Sequence, residues 1–330
     1  MNRREFITLL GGAAAAWPFA ARAQQPERMR RIGVLQPINE SDPEAQRRIA
    51  ALVQGLQKLG WTEGANLVID YRWAGGDSER IRRYATELVG LKPDVIVGAS
   101  TPVVVAVRAE TRTIPILFVQ VIDPVASGFV SSLARPGGNV TGITNFEFTM
   151  GGKWLEILKE ISPQLARVAV LYNPKTAPYA GVLLRSIITA APSFAIEPTD
   201  TAIQDAAEIE RAIDAFAQKS NGGLLVLPDA STLVHRDLII ARAAQHRLPA
   251  VYPFRYFAVS GGLVSYGTDA ADVHRQIASY VDRILRSTKP EELPVQAPNK
   301  FELVINQRTA TALGLEVPAK LLALADEVIE

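Results

Sequence analysis

From Arg30 onward, short apolar runs alternate with longer amphipathic ones, and the alternation is run through twice. This constrains the fold more than any other feature. A strand, a covering helix and a second strand pack as a parallel sheet with helices on both faces. In the first cycle RIGVLQP is a strand. DPEAQRRIAALVQGLQKLGW is a helix capped by Ser41 or Asp42, with Ile49, Leu52, Val53, Leu56 and Leu59 on one face. NLVIDYRW, DVIVGAS and IPILFVQ supply further strands. Between them lie the helices SERIRRYATELVGL, capped by Asp77 or Ser78, and TPVVVAVRAE, with Pro102 in its first turn.

The second cycle begins where GNVTGIT leads into the helix MGGKWLEILKEI. RVAVLYNP, SFAIEPTD, GGLLVLPD and LPAVYPF then alternate with the helices APYAGVLLRSIITAA, DAAEIERAIDAFAQ and STLVHRDLIIARAAQHR. RIGVLQP corresponds to RVAVLYNP, DVIVGAS to GGLLVLPD, and IPILFVQ to LPAVYPF. The expected fold is therefore α/β, two doubly wound parallel-sheet lobes joined by a hinge. After Phe254 the segments GGLVSYG, ADVHRQIASYVDRILRS, LPVQAPNKFELVINQRTATALGL and PAKLLALADEVIE form no third cycle. They read as pieces crossing back to complete the lobes. Residues 30–145 with about 257–290 are assigned to one lobe, and 146–256 with about 291–330 to the other.

The first residues have a different character. Arg3 and Arg4 precede an apolar run, Ile7 to Phe19, and Ala21-Arg22-Ala23 is a small-x-small cleavage pattern. The run is shorter than the roughly 20 residues that span a bilayer. Residues 1–23 are expected to be a cleaved export signal of the twin-arginine type, which favours a periplasmic mature protein starting near Gln24. The general secretory route is the alternative. Without that segment the chain has 32 basic and 33 acidic residues, a balance that gives no basic face for nucleic acid.

There is no cysteine, which removes disulfides, thiolate-held clusters, Cys-ligated zinc and a cysteine nucleophile. His235, His246 and His274 lack the spacing of a helical metal pair and read as solvated helix-surface residues. Nucleotide loops are missing too: GVLQPINES after the first strand contains no G-x-G-x-x-G, and no G-x-x-x-x-G-K-[ST] occurs. No nucleophile elbow is present. No cofactor is expected.

In doubly wound sheets ligands sit beyond the carboxyl ends of the strands. Those ends carry Asn39, Ser100-Thr101, Asp123, Asn173, Asp229 and Tyr252, with Tyr266 on a later strand. Such residues also form turns and caps. As a set they describe a polar cleft between lobes. Ser100 and Thr101 start a helix whose free N–H groups suit a carboxylate. Asp123 and Asp229 are suited to a ligand ammonium or hydroxyl. Tyr179, Tyr252 and Tyr266 are candidate flat walls.

TIPILFVQVIDPVASGFVSSLARPGGNVTGIT, GLQKLGWTEGANLVIDYRWAGGDSER, PDVIVGASTP, VAVLYNP, GGLVSYGTD and FELVINQRTATALGLEVP together resemble one family of substrate-binding proteins of ABC transporters, which includes tryptophan- and tyrosine-type binders. The resemblance implies a type I periplasmic-binding fold, a monomer that performs no chemistry, and a small polar or amino-acid-like solute between the lobes. It implies a membrane permease and its ATPase as partners. In such binders hydroxyls after a strand hold a carboxylate, a role Ser100 and Thr101 match. An acidic residue holds the ammonium, for which Asp123 and Asp229 are candidates. Val103-Val104-Val105 stands where smaller residues are expected and could alter the pocket wall. A periplasmic ligand-sensing domain is the alternative function, and a hydrolase on the same scaffold a further one.

Overall fold

The computed structural model describes residues 29–145, 149–298 and 300–330; the expected export segment lies outside them. The first lobe is built on β1 (Arg30–Gln36), β2 (Leu67–Trp73), β3 (Val95–Ala99), β4 (Ile116–Val121) and β5 (Val140–Thr144). They pair in parallel in the order β2-β1-β3-β4-β5. β3 and β5 are buried throughout because helices cover both faces. α1 (Pro43–Lys58) lies on one face, and α2 (Ser78–Gly90) and α3 (Thr101–Glu110) on the other. Asp42 caps α1, its Oδ1 accepting the Glu44 N–H at 2.9 Å, and Asp77 caps α2.

The second lobe repeats this winding. β6 (Arg167–Tyr172), β7 (Glu197–Ala202), β8 (Gly222–Val226), β9 (Ala250–Tyr252) and β10 (Val264–Thr268) stand in the order β7-β6-β8-β9-β10. That is the first sheet's order with each strand replaced by its counterpart. β11 (Phe301–Asn306) then adds antiparallel to β10, and β12 (Glu327–Ile329) parallel to β11, so this sheet is mixed. The helix expected over STLVHRDLIIARAAQHR is two, Ala230–Val234 and Arg236–Gln245, which meet at His235.

The chain passes between lobes three times, and two crossings fall elsewhere than the sequence pattern suggests. The helix Arg255–Val259 and β10 belong with the second sheet, so the middle crossing lies at Asp269 rather than near 257. Leu293 and Val295 pack in the first lobe, and the Thr141 hydroxyl donates to Leu293 O at 2.6 Å. The last crossing therefore follows Gln296, which bridges to Ile143. Apolar periodicity marks an element as half-buried but not which sheet edge it joins.

The helix Ala270–Leu285 returns to the first lobe and lies against α1. The approach is close enough that a Cβ on Gly55 would sit 2.7 Å from the Ala278 Cβ and 2.8 Å from Arg275 O. This helix also corrects one expectation, because His274 is fully buried rather than solvated. Its Nδ1 donates to Ala270 O at 2.7 Å, which leaves Nε2 to accept from Gln36 Nε2 at 3.1 Å. Burial, and secondarily the charge on Arg48, hold the imidazole down at about 3.

The unfolded chain therefore takes up this proton at a higher pH than the folded one. The contribution is fully present above about pH 6.5 and declines as pH falls toward 3, by up to about 1.4 kcal/mol per pH unit. His274→Gln should flatten the fall in unfolding free energy between pH 6.5 and 4, measured by urea titration. Identical slopes in variant and wild type would refute the assignment. Asp229, whose pKa burial raises, acts in the opposite sense and is common to both proteins.

Candidate ligand-binding cleft

The carboxyl ends of the two sheets face each other across the hinge, the place where doubly wound sheets gather their loops. Between them lies a cavity of about 30 Å³. The first lobe contributes Ser100 and Thr101, which follow β3, and Gln120 in β4. The second contributes Asp229 after β8, the counterpart of β3, with Thr176 and Tyr179 from the loop after β6. Asn145, at the first crossing, completes the polar lining, and Phe254 and Tyr256 the apolar wall.

Ser100 and Gln120 both adopt positive φ, 85° and 56°, at the ends of adjacent strands. For residues other than glycine this costs on the order of 1–3 kcal/mol each and is found where structure over-determines the backbone. Ser100 is the N-cap of α3 yet makes no side-chain capping bond. Its Oγ, Thr101 Oγ1, Gln120 Nε2 and Asn145 Oδ1 are buried without a hydrogen-bond partner among the described residues. Leaving such atoms unpaired costs about 1–3 kcal/mol each, so their clustering around one cavity points to a ligand.

Arg48 fixes what Gln120 offers. This fully buried guanidinium bonds Glu44 Oε1 at 2.9 Å through Nε and Gln120 Oε1 at 2.8 Å through Nη1. Arginine only donates, so the amide oxygen must face it and the amide nitrogen is left for the cavity. The first lobe thus presents two hydroxyls and an amide N–H group beside a helix N-terminus, an arrangement suited to a carboxylate.

The second lobe presents an acceptor. Asp229 is 5 % exposed and takes the N–H of Asn173 at 2.7 Å on Oδ2, and the N–H of Ser231 at 2.9 Å with the Thr176 hydroxyl on Oδ1. Burial raises its pKa, opposed by these hydrogen bonds. A carboxylate has about four acceptor positions, so Oδ2 retains capacity for a ligand cation.

The lobes are closed on each other. Ile38, Ala45 and Ile122 of the first lobe join the apolar core of the second, and Arg236 Nη1 meets Asp42 Oδ2 at 2.7 Å across the cleft. The Arg48 guanidinium lies 5.5 Å from the Tyr256 ring centroid.

Of the residues singled out in the sequence, Ser100, Thr101 and Asp229 come together here with Tyr179. Asn173 sits behind Asp229, holding it. Asn39 lines a separate open groove with Tyr71, Arg72 and Trp73. Asp123 closes its own turn by accepting the Ala126 N–H. Tyr252 is buried against Phe257, and Tyr266 packs on Phe301, so neither is a cleft wall. Val103 and Val104 are core residues and Val105 is exposed, which takes that run out of the cavity. Gln120, Asn145, Thr176 and Tyr256 were missed. Gln120 stood in the strand-end segment, but nothing in its identity separated it from its neighbours.

A family model described as ABC transporter substrate binding protein matches residues 31–329. A tyrosine-binding protein of Clostridioides difficile is 26% identical over 291 residues, 88% of this chain and 82% of that protein. A conserved domain protein of Vibrio cholerae is 32% identical, with a TM-score of 0.84 over 91% of this chain and 100% of that one. An ABC domain from Streptococcus pneumonia in complex with L-Trp has the same TM-score at 23% identity, over 91% and 99% of the two chains. A ligand-free, open substrate-binding protein of Clostridium difficile, 25% identical over 91% and 99%, gives 0.67. The two-lobe architecture is that of type I periplasmic binding proteins.

Proposed function

Since the chain belongs to the ABC transporter substrate-binding proteins, we propose that it captures a small zwitterionic, amino-acid-like solute and delivers it to a membrane permease driven by an ATPase. One observation carries the reading: hydrogen-bond donors of one lobe and a buried carboxylate of the other line the same cavity. A carboxylate end seats on Ser100, Thr101 and Gln120, and an ammonium end on Asp229 and Asn145. A ligand that touches both lobes favours the closed form by its difference in affinity for the two states. The protein performs no turnover; closure is its output. The tyrosine and L-Trp named for two relatives are in keeping with an amino-acid class of ligand.

The arginine pair and cleavage pattern at the start support export, with the mature protein monomeric in the periplasm. N-terminal sequencing of protein recovered from the periplasm should begin near Gln24, and a retained Met1 would refute that. For the ligand, thermal unfolding of residues 24–330 is to be followed with each proteinogenic amino acid. A solute at 100 times its Kd adds about 2.7 kcal/mol, several degrees in Tm. No shift with any amino acid would overturn the amino-acid reading.

A further inference from the structure

Resting on that reading, we infer that the solute is an amino acid with an acidic side chain, and that Lys175 selects it. The small cavity assigned to the zwitterion is only the inner part of the cleft. It shares Pro37, Thr176 and Ala230 with an adjoining space of about 360 Å³. A side chain that leaves the head group past Thr176 enters this second space. Room is ample there, so the chemistry of the lining decides what it accepts.

Both lobes bound the adjoining space. Gly76 and Ile81 come from the first, and Lys175, Gln204 and His235 from the second. The lobes meet on its wall, where a Cβ on Gly76 would sit 2.9 Å from Val234 Cγ2. The rings of the cleft stand elsewhere. Tyr252, Phe257, Tyr256 and Phe254 form a continuous stack, with successive centroids 5.0, 5.2 and 5.2 Å apart, that ends on the inner cavity. Among the described residues no phenylalanine, tyrosine or tryptophan lines the adjoining space. An aromatic side chain therefore finds no ring face to pack on there.

The charges free to meet a ligand in this space have one sign. Asp77 is the only carboxylate among the described residues that line it, and its oxygens are engaged. Oδ1 accepts the N–H of Glu79 at 2.8 Å and of Arg80 at 3.1 Å, and Oδ2 accepts from Arg80 Nε at 3.3 Å. The Lys175 ammonium has no ion pair or hydrogen bond among the described residues, and neither ring nitrogen of His235 is bonded. Lys175 also borders a groove that holds Glu110, yet it pairs with no carboxylate on that side. Its place is set by the turn that builds the ammonium seat. Asn173 Oδ1 accepts the Lys175 N–H at 2.9 Å, while the next residue, Thr176, bonds Asp229 through its hydroxyl. One turn thus holds Asp229 for the ligand's ammonium and presents a cation one residue away. A side-chain carboxylate meets that cation in a charge-assisted hydrogen bond, and its amide isostere accepts only a weaker one.

Isothermal titration of the purified protein with L-glutamate, L-aspartate, L-glutamine, L-asparagine, L-tyrosine and L-tryptophan tests this. The better acidic amino acid should bind at least tenfold more tightly than its amide and than either aromatic one. That preference should narrow as salt is added, because it rests on a charge. Lys175 is exposed, so Lys175→Met is expected to fold, and in it the ratio of acid to amide should fall at least fivefold. A neutral or aromatic amino acid that binds the wild type as tightly as the better acidic one would overturn the assignment and leave the solute-binding reading standing. An unchanged ratio in Lys175→Met would do the same. Absence of binding by all six, and by every other amino acid, would remove that reading and the side-chain assignment with it. Should Lys175→Met fail to fold, the wild-type ratio and its response to salt decide.

Discussion

The double variant Ser100→Ala/Thr101→Val should lose at least about 100-fold in affinity for a carboxylate-bearing zwitterion, while its ligand-free unfolding midpoint stays unchanged or rises. Each hydroxyl is assigned a hydrogen bond to a charged group, about 1.5–3 kcal/mol apiece, so two exceed the roughly 2.8 kcal/mol of a hundredfold change. The stability arm has the opposite sign because Ser100 Oγ and Thr101 Oγ1 lack partners within the protein. Replacing a buried unpaired hydroxyl by an apolar group of similar shape relieves a desolvation cost. Calorimetric titration and thermal unfolding of the same preparation read both arms. Affinity within threefold of wild type would remove these hydroxyls from the site. A large drop in midpoint would mark them as structural.

Arg48→Met should destabilise the protein by about 3–5 kcal/mol, with the lower part of that range favoured. The substitution strands Glu44, only 5% exposed, without its 2.9 Å partner, although Arg47 at 3.6 Å offers partial compensation. Combining it with Glu44→Gln should restore most of the loss, because the buried ion is removed along with its counter-ion. Urea unfolding of the two single variants and the double closes the cycle. If the double is no more stable than Arg48→Met, the pair is not the source of the cost. Ligand affinity should fall in both, since Gln120 loses the contact that orients its amide.

The winding of both sheets was legible because each strand buried on two faces leaves a continuous apolar run and each helix an amphipathic one. DVIVGAS and GGLLVLPD are counterparts in sequence and stand in equivalent places in their sheets. What joins the lobes was less legible. β10 carries the same apolar character wherever it pairs, and only its register beside β9 and β11 assigns it. In the cleft, Ser100, Thr101 and Asp229 were visible as polar residues at strand ends. Arg48 and Gln120 were not, because a helix-face arginine ordinarily reads as solvated and its burial follows from the approach of the second lobe. Tyr252 misled for the reverse reason. It stands at a strand end, but its ring turns inward to root a stack whose outermost members, on YPFRYF, form the wall.

The packing of Ala270–Leu285 against α1 has a bearing on the order in which this protein can mature. Leu52 and Leu56 find their cover in Ile277, Ala278 and Val281, residues made only after the whole of the second lobe's five-stranded winding has been synthesised. The first lobe therefore leaves the ribosome with the α1 face of its sheet only partly covered, and it stays so until translation has passed Leu285. Neither lobe is an independent vectorial folding unit, and a nascent chain halted anywhere between Thr144 and Ala270 exposes an apolar surface open to chaperones and to aggregation. A route that hands over the finished, folded molecule matches that order of events, since the last piece to be made closes the first that was begun.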